Sequence, residues 1–391
     1  MRPETLTRRV GAGVSASPDA VDAVREAARE ALEELGGASV DLACVFLSPD
    51  HFAAAEEARD AAADELAPRH LLGCVAEGVI GRDRELERGP AAAVWAASLP
   101  EAEIETFHSV AVETDDGVAV TGFPQLDDAD LVALLVDPFT FPAAGFLTRL
   151  NMEEESAPVV GGLAAGGGEA DTQALFRDDE VVHDGAVGAV VRGAPVLTVV
   201  SQGCEPVGRD SVITAAEGNV VFELAGEPAL ERLKGDLGTL TEEQQRSAAL
   251  GGVLAGLVID ENRADYRRGD YLMRGLMGLD EESGAIAVGE AVRVGQTLRF
   301  HVRDAASADE DLRENLAAGL AGRRAAGALL FTCNGRGTSL FSTPDHDARA
   351  AAELLGDDAL AGFFCAGEIG PVGGKPFLHG FTATLAVFLA D

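Results

Sequence analysis

Val40-Asp41-Leu42-Ala43-Cys44-Val45-Phe46-Leu47 runs directly into Ser48-Pro49-Asp50-His51. The apolar run has the length and the Val/Phe/Leu content of a buried strand. Ser48 and Pro49 then mark a helix start, because proline at the first helical position gives up only an N–H that would be unbonded anyway. Phe52, Ala55, Ala58, Ala62 and Leu66 fall on one face of that helix, and His70-Leu71-Leu72-Gly73-Cys74 reads as the next strand. Upstream, residues 19–35 place Val21, Val24, Ala28, Ala31, Leu32 and Leu35 on one helical face, with Ser17 as N-cap, Pro18 at the first position and Gly36-Gly37 as the stop. Strands that alternate with amphipathic helices predict an α/β protein of layered strand–helix–strand units.

The pattern recurs near the C-terminus. The strand Ala328-Leu329-Leu330-Phe331-Thr332-Cys333 is followed by Thr343-Pro344-Asp345-His346, a helix to Leu355, and Phe363-Phe364-Cys365-Ala366-Gly367-Glu368-Ile369-Gly370. It matches 40–81, where the exit that starts at Cys74 and runs to Gly81 holds the place of the exit that starts at Cys365 and runs to Gly370. A looser third copy runs from Leu134-Leu135-Val136-Asp137-Pro138 to Val159-Val160-Gly161-Gly162-Leu163-Ala164-Ala165-Gly166-Gly167-Gly168. These likenesses predict an internal duplication. Residues 181–201, 211–224 and 285–303 are β-like, and a turn cluster at Ala225-Gly226-Glu227-Pro228 separates two expected α/β domains, 1–225 and 226–391.

Composition narrows the function. The 391 residues are 47% hydrophobic but only 5% aromatic, so the core must rest on Ala, Val and Leu; the net charge is −36. A field of that sign repels nucleic acid and anionic membrane surfaces, so neither is expected as a partner. The five cysteines are an odd number, lie mostly in apolar segments and show no Cys-x-x-Cys pair. A reduced, cytoplasmic protein is expected. Neither a secretory signal nor a spanning segment is apparent.

Few segments could carry chemistry. Cys333-Asn334-Gly335-Arg336-Gly337 leaves an apolar strand at the end where α/β sheets place ligands. Its glycines allow successive N–H groups to converge on an anion, and the Arg336 fork suits a carboxylate or phosphate. A tight turn with a salt-bridged arginine fits the same residues. Gly367-Glu368 leaves the neighbouring strand, so Glu368 could pair with Arg336 or accept a ligand amine; His379 opens the last strand. Gly73, Cys74, Gly161 and Gly162 form a candidate second wall. Gly161 to Gly168 lacks the lysine and hydroxyl residue of a P-loop. Gly11-Ala12-Gly13-Val14-Ser15-Ala16 follows too polar a segment to be a dinucleotide fingerprint. No cluster has metal-ligand spacing, so neither cofactor nor metal is expected.

Taken together, these residues resemble the FIST family. The likeness rests on Leu72-Gly73-Cys74-Val75-Ala76-Glu77-Gly78, Gly161-Gly162-Leu163-Ala164 and Gln202-Gly203-Cys204-Glu205-Pro206-Val207-Gly208. Further on it rests on Tyr271-Leu272-Met273-Arg274, Gly295-Gln296, His301-Val302-Arg303-Asp304-Ala305, Cys333 to Gly337, and Gly362-Phe363-Phe364 through Pro371 to His379-Gly380-Phe381-Thr382. The resemblance implies an N-type and a C-type FIST domain and a sensory role that binds small ligands, amino acids among them. The Glu77-Gly78 order reverses the Gly-Glu the family pattern leads one to expect. Family members are often fused to signalling outputs. This sequence leaves no residues for one, so a signalling partner protein is expected to supply the output. The reading is a small-ligand-binding protein whose site joins Cys333, Asn334, Gly335, Arg336, Gly337, Gly367, Glu368 and His379, the ligand an amino acid or small carboxylate. An enzyme that uses Cys333 or His379, or a protein-recruiting scaffold, are the alternatives.

Overall fold

The computed structural model describes residues 7–115, 117–153, 157–168 and 172–391. The chain is mixed α/β, as expected, and divides into two compact units. One unit holds 7–200, 312–378 and 382–391 of the described residues; the other holds 201–311 and 379–381. This partition differs from a cut at 225, because the first unit interleaves chain from both halves.

The first unit begins β1 (Arg9–Ser15), α1 (Ala20–Leu35), β2 (Leu42–Leu47), α2 (Ala55–Leu66), β3 (His70–Val75), β4 (Val79–Gly81), β5 (Arg84–Leu86) and β6 (Ala92–Ser98). It continues β7 (Glu103–Thr114), β8 (Gly117–Thr121), β9 (Leu131–Val136), α3 (Ala143–Leu150), β10 (Val159–Leu163), β11 (Leu175–Arg177), β12 (Glu180–Val182), β13 (Ala186–Arg192) and β14 (Val196–Gln202). In the second unit come β15 (Cys204–Glu217), β16 (Val220–Leu224), β17 (Glu227–Pro228), α4 (Ala229–Leu237), α5 (Glu242–Gly251), β18 (Val253–Val258), β19 (Tyr271–Asp280), β20 (Ala285–Val288) and β21 (Thr297–Arg303). The chain ends α6 (Ala305–Leu320), β22 (Ala325–Cys333), α7 (His346–Leu355), β23 (Leu360–Cys365), β24 (Glu368–Val372), β25 (Lys375–His379) and β26 (Thr382–Leu389).

Three sheets make the first unit, ordered β1-β6-β2-β3-β11-β12, β8-β7-β13-β9-β10-β24-β25 and β14-β26-β22-β23-β4-β5. One scheme recurs in each. Two parallel strands joined by a helix (β2 and β3, β9 and β10, β22 and β23) lie at the centre. An antiparallel strand, β6, β13 or β26, flanks the first of them. The hairpin that follows the second parallel strand never joins its own sheet. β4–β5 crosses to β23, β11–β12 to β3, and β24–β25 to β10, so the exchange is cyclic.

Glycines fix the register of this scheme. Gly73 lies opposite Val45, Gly161 opposite Leu134 and Gly362 opposite Leu330. A Cβ at these glycines would stand 2.1, 1.9 and 1.6 Å from the carbonyl oxygens of Val45, Leu134 and Leu330. No side chain fits there. This register corrects the sequence alignment by two residues. Gly73 corresponds to Gly362, so Ala76 holds the place of Cys365, Gly78 that of Gly367, and Val79 that of Glu368. The cysteines misled because a thiol in an apolar strand is only a small hydrophobe.

Between the sheets lies an apolar core in which Phe46 meets Phe331 and Phe363 at 6.5 and 5.3 Å, and Trp95 meets Phe388 at 5.0 Å. The outer face of the first sheet is covered by α1 and α2, that of the second by α3, and that of the third by α6 and α7. α1 starts at Ala20 rather than Pro18, because Asp19 itself accepts from the Asp22 N–H at 3.0 Å while the Ser17 N–H donates to Ser15 Oγ. Pro49 opens a 3-10 turn, Pro49–Ala54, before α2, and the Ser48 hydroxyl accepts from the Ala91 N–H instead of capping a helix. Gly11 and Gly13 let α1 lie on β1; a Cβ at either would meet a helix carbonyl at 2.0 Å.

In the second unit, β15-β21-β18-β19-β20-β16 closes on itself through the β15–β16 pairing, a six-stranded barrel. Ile213, Val221, Leu257, Ile286, Leu298 and Phe300 fill it, with Leu230 and Leu233 of α4. In the chain this barrel is inserted between β14 and α6. Among the described residues no disulfide forms between any of the five cysteines, and no helix is long and apolar enough to cross a membrane.

Candidate functional site

The strand β22 ends at Cys333, and the chain turns at once: the Asn334 N–H donates to the Cys365 carbonyl and the Arg336 N–H to the Cys333 carbonyl. Gly337 has φ of 53°, in the left-handed region, and a Cβ there would stand 2.7 Å from the Glu87 carboxylate carbon. Glycine is required on both counts. Glu87 accepts from the Thr338 N–H and hydroxyl, each at 2.8 Å. The anion gathered by this glycine turn is therefore the chain's own carboxylate. Asn334 Nδ2 donates to Glu77.

Arg336 has no solvent exposure. Its Nε donates to Asp347 Oδ2 at 2.6 Å and its Nη2 to Oδ1 at 2.8 Å, the bidentate geometry of a strong charged pair. Asp347, in the first turn of α7, also accepts from Thr332 Oγ1 at 2.9 Å and lies 3.0 Å from His346 Nδ1. Phe341 stacks on His346 and lies under the guanidinium, 5.3 Å from ring centre to Cζ. Burial alone would push the Asp347 carboxyl up; the guanidinium and His346 outweigh it and hold it well below the usual carboxylate range.

Two further buried carboxyls surround this pair without a cation of their own. Glu368 Oε2 accepts from the Thr382 N–H at 3.2 Å and hydroxyl at 2.7 Å. Burial raises its pKa to about 8 despite those donors and the charge of Arg336. Glu85, on β5, accepts from the Ala348 N–H at the start of α7. Burial and the neighbouring Asp347 raise it above the usual carboxylate range as well. The cluster thus holds one ion pair and two carboxyls whose ionisation is disfavoured. One guanidinium cannot neutralise three carboxylates in a desolvated site.

Three of the expected site residues carry a buried polar atom with no hydrogen-bond partner among the described residues: Asn334 Oδ1, Arg336 Nη1 and Glu368 Oε1. Buried polar atoms are nearly always satisfied, so each of these needs an explanation. Of the two roles open to Glu368, pairing with Arg336 is not the one seen: the carboxylate partner of Arg336 is Asp347, in the first turn of α7. Gly73 and Gly161 lie within sheets against carbonyl oxygens, and a Cβ at Gly162 would stand 2.2 Å from Cys365 Sγ. Cys74 is fully buried in the central core, where burial raises its thiol pKa well above the ordinary value. Gly367 precedes β24. His379, buried at the end of β25, belongs with the second unit.

Sequence reasoning missed Asp347, Glu85, Glu87 and Thr382. Asp347 follows a helix start and reads as capping chemistry. Glu85 joins from a hairpin 263 residues away from its partner Ala348, which no local pattern reveals. A cleft of about 570 Å³ opens elsewhere in the first unit, between α3 and the segment 118–127, and contains none of the expected residues.

Comparison with known proteins agrees with the motifs. A model of the FIST N domain matches residues 41–227, and one of the FIST C domain matches 229–371. FIST domains are generally described as sensory, ligand-binding domains. An uncharacterized protein of Mycobacterium tuberculosis is 46% identical over 97% of this chain and 100% of its own length. One of Mycobacterium bovis is 44% identical over 98% and 99%. One of Methanocaldococcus jannaschii is 39% identical over 28% of this chain and 22% of its own length. The glycine turn after β22 lies within the residues that the FIST C model matches, β24 begins at their end, and the chain belongs to the FIST family.

Proposed function

We propose that the chain is a sensory module that binds a small carboxylate or amino acid at the end of β22, and that it passes the signal to a partner protein. The observation that carries this reading is the set of orphaned buried atoms. Arg336 Nη1 donates, and protonated Glu368 can donate through Oε1, so both suit the oxygens of a carboxylate. Asn334 Oδ1 accepts, which suits an ammonium or hydroxyl beside it. A charged hydrogen bond in such a setting is worth ~1.5–3 kcal/mol.

The test must spare the Arg336–Asp347 pair. Arg336→Ala would strand the Asp347 charge at a cost of ~3–5 kcal/mol, so loss of binding could mean loss of fold. Arg336→Lys keeps the positive charge and gives up the fork. Titration calorimetry with a panel of amino acids and small carboxylates should find a ligand for the wild type. Arg336→Lys, with an unchanged circular dichroism spectrum, should bind it ~10- to 150-fold more weakly. Equal affinity in the variant removes the site.

A further inference from the structure

The cyclic scheme of the first unit is uneven in one place. In the first sheet the chain passes from the outer strand β1 to β2 through α1, which lies on the sheet's outer face. In the third, it enters β22 through α6, which lies on the outer face of that sheet. In the second sheet the corresponding passage, from β7 to β9, contains no helix among the described residues. It is made by β8 and the extended segment 122–130. Phe123 turns inward, 5.1 Å from Phe107 and 4.8 Å from Phe146, and covers part of the space a helix would occupy.

What is left is the cleft of about 570 Å³. Val118, Val120, Phe123, Leu126, Phe146 and Leu150 give it an apolar floor and one wall. Val118 is 60% exposed and nearby Met152 79% exposed. Asp127 and Glu153 stand on the rim with Arg149, Asp128 is exposed next to them, and Arg192 donates to the carbonyls of Gln125 and Asp127. Gly145 lines the cleft from the first turn of α3, and a Cβ there would meet nothing within 4 Å. Glycine in an exposed helix costs ~0.5–1 kcal/mol relative to alanine. No turn and no packing inside the chain requires it, whereas close approach of another backbone would.

We propose that this cleft is a docking groove for the apolar face of a basic amphipathic helix on a partner protein. The helix would cover the outer face of the second sheet as α1 and α6 cover the others. A groove of this kind reads side chains at i, i+3, i+4 and i+7. The acidic rim and the net charge of −36 select lysine and arginine on its flanks. A small apolar molecule fits the cleft less well, because ligand sites enclose most of their ligand's surface and these walls stand open. The groove lies on the unit that holds the Arg336 cluster, but its existence does not depend on that cluster.

The test uses the full chain and a fluorescent peptide of about 18 residues, with leucines at helical spacing and lysines elsewhere, in about 0.15 M salt. The wild type should bind it saturably, and a scrambled peptide of the same composition should not bind. Gly145→Ala should bind as the wild type does. Gly145→Trp, which fills the cleft from an exposed position, should bind at least ~10-fold more weakly. The proposal is overturned if the helical peptide does not saturate, if Gly145→Trp binds as tightly as Gly145→Ala, or if decanoate shifts the melting temperature while the peptide does not bind.

Discussion

At the scale of single residues, one guanidinium organises the candidate site. Arg336 stabilises Asp347 as an anion, while burial raises the carboxyls of Glu368 and Glu85 above the usual carboxylate range. The consequence for pH follows from the sign of the shift. The Glu368 carboxyl has a folded pKa of about 8, above its unfolded value, so its contribution to stability is fully present below the unfolded pKa and is lost as pH rises through about 8. Glu368→Gln cannot ionise. In ligand-free protein the variant should match the wild type near pH 5 and exceed it increasingly up to pH 8, by at most about 1.4 kcal/mol per pH unit. Urea denaturation across that range is the measurement, and parallel stability curves would show that Glu368 is ionised in the native state. Arg336, Asn334 and Glu368 were legible in the sequence because glycines and strand ends flag them. Asp347 and Glu85 were not, since an acid in a helix's first turn and an acid in a hairpin each have an ordinary local reason to be there.

At the scale of elements, glycine rather than side chains fixes how the strands meet. The strand–helix–strand units over 40–81 and 328–370 could be read from periodicity and caps, both of which are local. Their exchange of hairpins could not, because pairing across sheets depends on partners far away in the chain. We propose gene duplication as the source of the recurring scheme, with the glycine contacts as its fixed points. Gly73→Ala, Gly161→Ala and Gly362→Ala should each force parallel strands apart and destabilise the protein by ~1–3 kcal/mol or more. Gly145→Ala, on open helix surface, should be neutral or stabilising by up to ~1 kcal/mol. Thermal melts of the four variants check this. A tolerated Gly362→Ala would contradict the 1.6 Å approach drawn from the backbone.

At the scale of the molecule, the two halves of the chain are not the two units of the fold. The hairpin β24–β25 completes a sheet built by the N-terminal half, and β4–β5 completes one built by the C-terminal half. Residues 201–311 close a barrel within the same chain. The β-character of 211–224 and 285–303 was visible as alternation, but closure was not, because it rests on the pairing of β15 with two partners. The central claim is that this fold holds a small ligand on the buried atoms of Asn334, Arg336 and Glu368. Native mass spectrometry of the full chain purified from its own cells tests it most directly. The account predicts a stoichiometric small acid or amino acid on the wild type, released by denaturation and absent from Arg336→Lys. A ligand-free mass for the folded wild type, even after incubation with the compounds that calorimetry screens, would contradict it.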